Sequence, residues 1–146
     1  MELPVIKAIA PVAMIAAAAA CGSDSTGPQQ SGLAGSYSAY QWVTTGESGQ
    51  TFQLVIGSTL QITLSDNGST SGHMHIAASN GNPSADFDLA GTWRQTGNNV
   101  NFSQTVDNFL NDVTFTIQPI ATGVWDLVGV DDFPGTHIEL TLRHGP

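Results

Sequence analysis

The sequence predicts an all-β domain, an antiparallel meander that curls into a barrel of eight or nine strands. Three observations predict it. Apolar residues recur at every second position in nine segments from Leu33 onward, the spacing that lays one face of a strand on a core. Short clusters of Gly, Asn, Asp, Ser and Thr separate the segments, and connections this short join antiparallel neighbours. Apolar spacing of three and four is not sustained anywhere, so no long amphipathic helix is expected.

In chain order, Tyr37, Ala39, Gln41 and Val43 alternate with Ser38, Tyr40, Trp42 and Thr44, which sets Tyr40 and Trp42 opposite Tyr37. Phe52, Leu54 and Ile56 alternate with Gln53 and Val55. Leu60, Ile62 and Leu64 follow, then Met74, Ile76 and Ala78 between His73, His75 and Ala77. Ser65-Asp66-Asn67-Gly68-Ser69 separates those two runs and reads as a hairpin turn. Asn80-Gly81-Asn82-Pro83 reads as a longer loop. Phe87, Leu89 and Trp93 form one segment, and Val100 and Phe102 the next, with a turn at Thr96-Gly97-Asn98-Asn99. Residues 104–112 hold one irregular or helical turn around Phe109 and Leu110, a candidate cover for Tyr40 and Trp42. Val113, Phe115 and Ile117 precede a turn at Ala121-Thr122-Gly123. Residues 124–130 are apolar on both faces except Asp126, which is either buried and hydrogen-bonded or outward, the outward reading being preferred. Ile138, Leu140 and Leu142 make the last segment.

One apolar face per strand is core enough for an independent domain, since each buried aliphatic or aromatic side chain contributes about 1.5–3 kcal/mol. So many large side chains argue against a wide empty lumen. The strands are mostly shorter than the roughly 9–11 residues of a membrane-spanning barrel.

The first residues have a different character. Lys7 precedes an apolar run over 8–20 that ends at Ala18-Ala19-Ala20-Cys21-Gly22. Thirteen residues are too few for a spanning helix of about 20, but they match the apolar part of a secretory signal. The end of the run resembles a bacterial lipobox, which implies a lipoprotein signal over 1–20 and diacylation at Cys21. Two acyl chains anchor stably where one is marginal. Residues 22–32 contain only Gly, Ser, Asp, Thr, Pro and Gln and read as a flexible tether. The expected organisation is a signal at 1–20, acylated Cys21 with its tether at 21–32, and a folded domain at 33–146. Gly22 after the cysteine resembles the default sorting to the outer membrane, so the expected location is the bacterial cell envelope, lipid-anchored.

Three patterns in the domain resemble the bacterial lipocalin-like lipoproteins. They are Leu33-Ala34-Gly35-Ser36-Tyr37, Gly91-Thr92-Trp93 with its turn and following strand, and a last strand bearing Arg143. The resemblance implies a lipocalin-like barrel, a small hydrophobic ligand, and Arg143 lying over Tyr37 as a cation–π pair.

Charge excludes one partner class. Twelve acidic residues oppose Lys7, Arg94 and Arg143, for a net charge of −9, which is no nucleic-acid footprint. One cysteine allows no internal disulfide. His73 and His75 share a strand face about 6.5–7 Å apart. They are the candidate metal ligands, but Met74 points to the other face and two surface histidines on a solvated strand are expected instead. Asp86 and Asp88 share a face too, and Asp131-Asp132-Phe133-Pro134-Gly135 reads as a solvated acidic turn. No Gly-x-Ser-x-Gly elbow or phosphate loop is present. The expectation is a protein that is not an enzyme, with no catalytic residue, cofactor or metal. Its partners would be the membrane through the N-terminal lipid, and either a small hydrophobic ligand or another envelope protein.

Overall fold

The computed structural model describes residues 32–53, 56–78 and 81–145. The expected signal and Cys21, with all of the tether but Gly32, lie outside the described residues. So do Leu54 and Val55 of the second expected segment and Asn80 of the expected loop.

Ten strands follow one another. They are β1 (Gly35–Gly46), β2 (Thr51–Gln53), β3 (Thr59–Leu64), β4 (Ser69–Ile76), β5 (Ala85–Asp88), β6 (Gly91–Thr96), β7 (Asn99–Gln104), β8 (Thr114–Ala121), β9 (Val124–Phe133) and β10 (Thr136–His144). A 3-10 turn, Phe109–Asn111, stands between β7 and β8. All pairings are antiparallel, and β10 pairs with β1, so the sheet closes on itself.

Ten segments make an eight-stranded barrel plus one extra strand. β5 and β6 both flank β4 on the side away from β3. They are one strand interrupted at Leu89 and Ala90, and the Leu89 N–H still donates to the Gly72 carbonyl at 2.9 Å. β2 is the extra strand, paired with β1 above the stretch that β3 occupies. Closure leaves few free edges, which is how an antiparallel sheet of this size avoids templating other chains. The all-β antiparallel barrel expected from the alternation is what the chain forms.

One end of the barrel carries the tight turns. Gly68 N–H donates to Ser65 O at 2.9 Å, and Asn67 Oδ1 accepts from the Ser69 N–H at 2.9 Å and hydroxyl at 2.7 Å. Leu33 closes this end, 4% exposed, and its carbonyl accepts the Tyr37 hydroxyl at 2.8 Å. The other end is covered by the 3-10 turn, which Asn108 caps through its side chain at Leu110 N–H, 3.1 Å. There Phe109 packs on Trp42 with ring centroids 5.4 Å apart, the cover expected for that indole.

The strand alternation is shifted in β8 between Pro119 and Ala121, and in β1 at a position that matters for the site. Ala39 pairs with Leu142 and Gln41 with Thr141, so Tyr40 is an extra residue, a β-bulge. A bulge resets the two-residue period. Tyr37 and Trp42 therefore both point inward, at 0% and 1% exposure, while Tyr40 points out at 59%. The expectation that Tyr40 and Trp42 share a face opposite Tyr37 is corrected by this residue.

The interior of the described barrel is filled. Tyr37, Trp42, Leu60, Ile62, Leu64, Met74, Phe115, Leu127, Leu140 and Leu142 are all buried, from strands all round the wall. Gly129 shows how closely they fit. A Cβ there would come within 2.5 Å of Val113 Cγ1 and 2.8 Å of Phe115 Cε1, so glycine makes room for the aromatic ring.

Candidate functional site on the outer wall

Four arrangements of charged and aromatic side chains stand out, three on the outer wall and one at inward-facing Tyr37. In the first, Arg143 on β10 faces Asp126 on β9 in register. Its guanidinium forks the carboxylate, with Nε to Oδ1 at 3.2 Å and Nη2 to Oδ2 at 3.0 Å. The same guanidinium lies over Tyr40, its central carbon 3.5 Å from the ring centroid. Leu127 next to Asp126 points into the core, so Asp126 points outward. It is nevertheless only 6% exposed, because Arg143 lies over it. Both readings of Asp126 thus hold together. A buried carboxylate needs such a partner.

In the second, His144 packs edge-on against Tyr37, ring centroids 5.1 Å apart at 77°. Its Nε2 would overlap any Cβ at Gly35, whose φ of +151° is in glycine's territory. The cationic partner expected for Tyr37 was Arg143. In the register Tyr37 pairs with His144 and Ser38 with Arg143, so it is His144 that meets the Tyr37 ring. Burial of Tyr37 pushes its phenol up to about 12.

In the third, β4 and β5 oppose a His-x-His pair to an Asp-x-Asp pair, with His73 against Asp88 and His75 against Asp86. His73 Nε2 lies 3.1 Å from Asp86 Oδ1, and its Nδ1 lies 3.4 Å from Asp88 Oδ1. His75 Nδ1 lies 2.8 Å from the same Asp86 oxygen. These hydrogen bonds, Asp86 first and Asp88 second, raise the His73 pKa above 6.5. The reciprocal bonds from His75 and then His73 hold the Asp86 carboxyl below 3.8.

In the fourth, at the tip of the β9–β10 hairpin, His137 Nδ1 lies 2.7 Å from Asp132 and Nε2 lies 3.4 Å from Glu139. The bond to Asp132, then that to Glu139, raises the His137 pKa. The acidic turn is thus partnered by a histidine.

The two candidate metal ligands, His73 and His75, are brought onto one face as expected, 52% and 34% exposed. Their geometry is that of ion pairs. A ring using both nitrogens as donors is an imidazolium and has no lone pair to give a metal. Among the described residues, no group of three or more His, Cys, Asp or Glu side chains is arranged to hold a metal ion. Cys21, the expected lipidation site, lies outside the described residues.

The Asp126–Arg143–Tyr40 arrangement was not legible from alternation, although two signals for it stand in the sequence. Asp126 interrupts an apolar run, and Arg143 is one of only two fixed cations between residues 33 and 146.

Among the described residues, recesses mark the wall and its ends, one of about 290 Å³ lying beside Tyr40, Arg143 and His144. One of about 360 Å³ runs over the outer faces of β1, β3 and β4, lined by Ser36, Ser38, Gln61, Thr63, Ser71 and His73 among others. One of about 250 Å³ lies at the tight-turn end between Leu33, Gln95, Asn98, Ile117 and Trp125. Compared with protein-family models, with curated proteins and with solved structures, the chain matches none.

Proposed function

We propose that this chain is a non-enzymatic, lipid-anchored bacterial envelope protein whose barrel works from its outside, by contact with another envelope protein. The filled interior supports this reading most. A carrier of the lipocalin-like kind needs an apolar cavity of several hundred Å³. Here Trp42, Tyr37, Met74 and Phe115, each at most 1% exposed, occupy that space. The outer wall, by contrast, displays the Tyr40–Arg143 stack and the histidine–carboxylate rows. The lipobox-like run ending at Cys21 supplies the anchor, and Cys21→Ser should release the chain from membranes.

The test is a photo-crosslinking residue at Tyr40 in intact envelope-expressing cells. A discrete crosslinked species, lost when the probe is moved to Leu127 in the core, is the expected result. A chain recovered only as monomer from every outer-wall position would overturn the reading.

A second reading keeps the small hydrophobic ligand. It rests on the recess bounded by Leu33, Ile117 and Trp125, which is open where the main core is closed.

A further inference from the structure

β5 is a thinly supported part of the wall. It is four residues long and, among the described residues, pairs with β4 alone. Inward, it contributes Ala85 and Phe87, both only partly buried. A short strand with one neighbour and a half-buried anchor opens at low cost.

Its outer face is where it is held. Asp86 and Asp88 stand two residues apart on that face, and the groups that meet them are His73 and His75 across the ladder. His73 bridges both carboxylates, one with each ring nitrogen. That arrangement requires a proton on each nitrogen. On the opposite flank of β4, β3 offers Thr59, Gln61 and Thr63, none of them titratable. On β4 itself the outward neighbour is Ser71. Arg94, the fixed cation on β6, lies beyond the break at Leu89 and Ala90. His73 and His75 are therefore the basic side chains that face this carboxylate pair.

We propose that β5 is a proton-controlled strand, clasped to β4 while His73 is an imidazolium and released from it when His73 loses its proton. Release places a nitrogen lone pair against a carboxylate oxygen and leaves Asp86 and Asp88 facing each other across one side chain, in a chain of net charge −9. It frees the His73–Ile76 edge of β4 and uncovers Met74, which is fully buried while β5 is in place.

The direction in pH follows from the two shifts. His73 is raised above 6.5, so its hold is complete below 6.5 and fades as pH rises through the raised value. Asp86 is held below 3.8, so the hold also fails when pH falls through that lowered value. The clasp is closed in the acidic window between them and opens on the alkaline side.

The test is hydrogen–deuterium exchange of the full chain in mild detergent at pH 5.5 and pH 8.5, corrected for the intrinsic pH dependence of exchange. Exposed ion pairs are individually weak, and several acting together should change protection by about five- to tenfold. The expected result is that loss in amides 85–89 relative to β7 at the higher pH. His73→Gln should show the reduced protection already at pH 5.5 and no further step, whereas His137→Gln should keep the step. Equal relative protection of 85–89 at both pH values overturns the proposal, and so does a full step in His73→Gln. Should His73→Gln not fold, the wild-type comparison and Asp88→Asn, which should shrink the step, decide alone.

Discussion

Arg143 lies over Tyr40 and not over Tyr37, with its guanidinium carbon 3.5 Å from the Tyr40 ring centroid and its nitrogens on Asp126. Strand register is responsible. Arg143 pairs with Ser38 on the outer face, the face that Tyr40 shares, while inward Tyr37 pairs with His144.

This arrangement predicts an asymmetric mutational response. Arg143→Met removes the cover from a carboxylate whose side chain is 8% exposed, and should lower the melting temperature. Arg143→Met together with Asp126→Leu should recover most of that loss, because the penalty lies in the orphaned charge and not in the missing pair. Tyr40→Ala should have a smaller effect than Arg143→Met. Equal losses in the single and double variants, followed by circular dichroism, would contradict the ion-pair account.

The fold was legible because β3, β7 and β10, and the first half of β8, keep the two-residue period, and alternation is a direct readout of one buried face. Less was legible at β4, which begins at Ser69, since Ser69 to Gly72 carries no apolar signal. The expected single strand through Phe87 and Trp93 is broken at Leu89 and Ala90, though both aromatics keep the inward phase. The bulge at Tyr40 was invisible because a Tyr-Gln-Trp stretch alternates equally well with or without an extra residue. Of the outer wall, the sequence placed His73 with His75 and Asp86 with Asp88. It could not set the two pairs opposite each other, because strand register depends on loop lengths that alternation does not measure.

The two buried indoles on β1 and β6 should respond differently to loss of their N–H. Trp93 donates to the Ser65 carbonyl at 2.9 Å, whereas Trp42 Nε1 is buried without a hydrogen-bond partner. Trp42→Phe discards a donor that is already unsatisfied and should cost less than about 1.5 kcal/mol. Trp93→Phe should cost about 1 kcal/mol more than that. Urea denaturation of the two variants measures the difference, and the reverse order would mean that Trp42 has a partner in solution.

Gly129 tests the density of the interior. Gly129→Ala drives a methyl group into Val113 and Phe115, and overpacking of this kind costs about 1–3 kcal/mol. Val113→Ala in the same chain should relieve part of the cost. A neutral Gly129→Ala would show that the barrel has slack there.

Proton NMR titration checks the histidines directly. His73 and His137 should titrate above 6.5. Their contribution to stability is complete below 6.5 and lost as pH rises through the raised values, so thermal stability should decline from pH 6 to pH 9. Asp132→Asn should bring the His137 midpoint down while leaving His73 in place, since Asp132 is the largest cause of the His137 shift.

The filled interior is the central claim, and native mass spectrometry of the expected domain, residues 33–146, tests it most directly. The protein should be produced in an envelope-expressing host and purified without harsh detergent. The account predicts the bare polypeptide mass, because the side chains of Trp42, Tyr37, Met74 and Phe115 already occupy the barrel. A reproducible added mass of a few hundred daltons, retained through gentle activation and released by unfolding, would contradict it and make the protein a carrier.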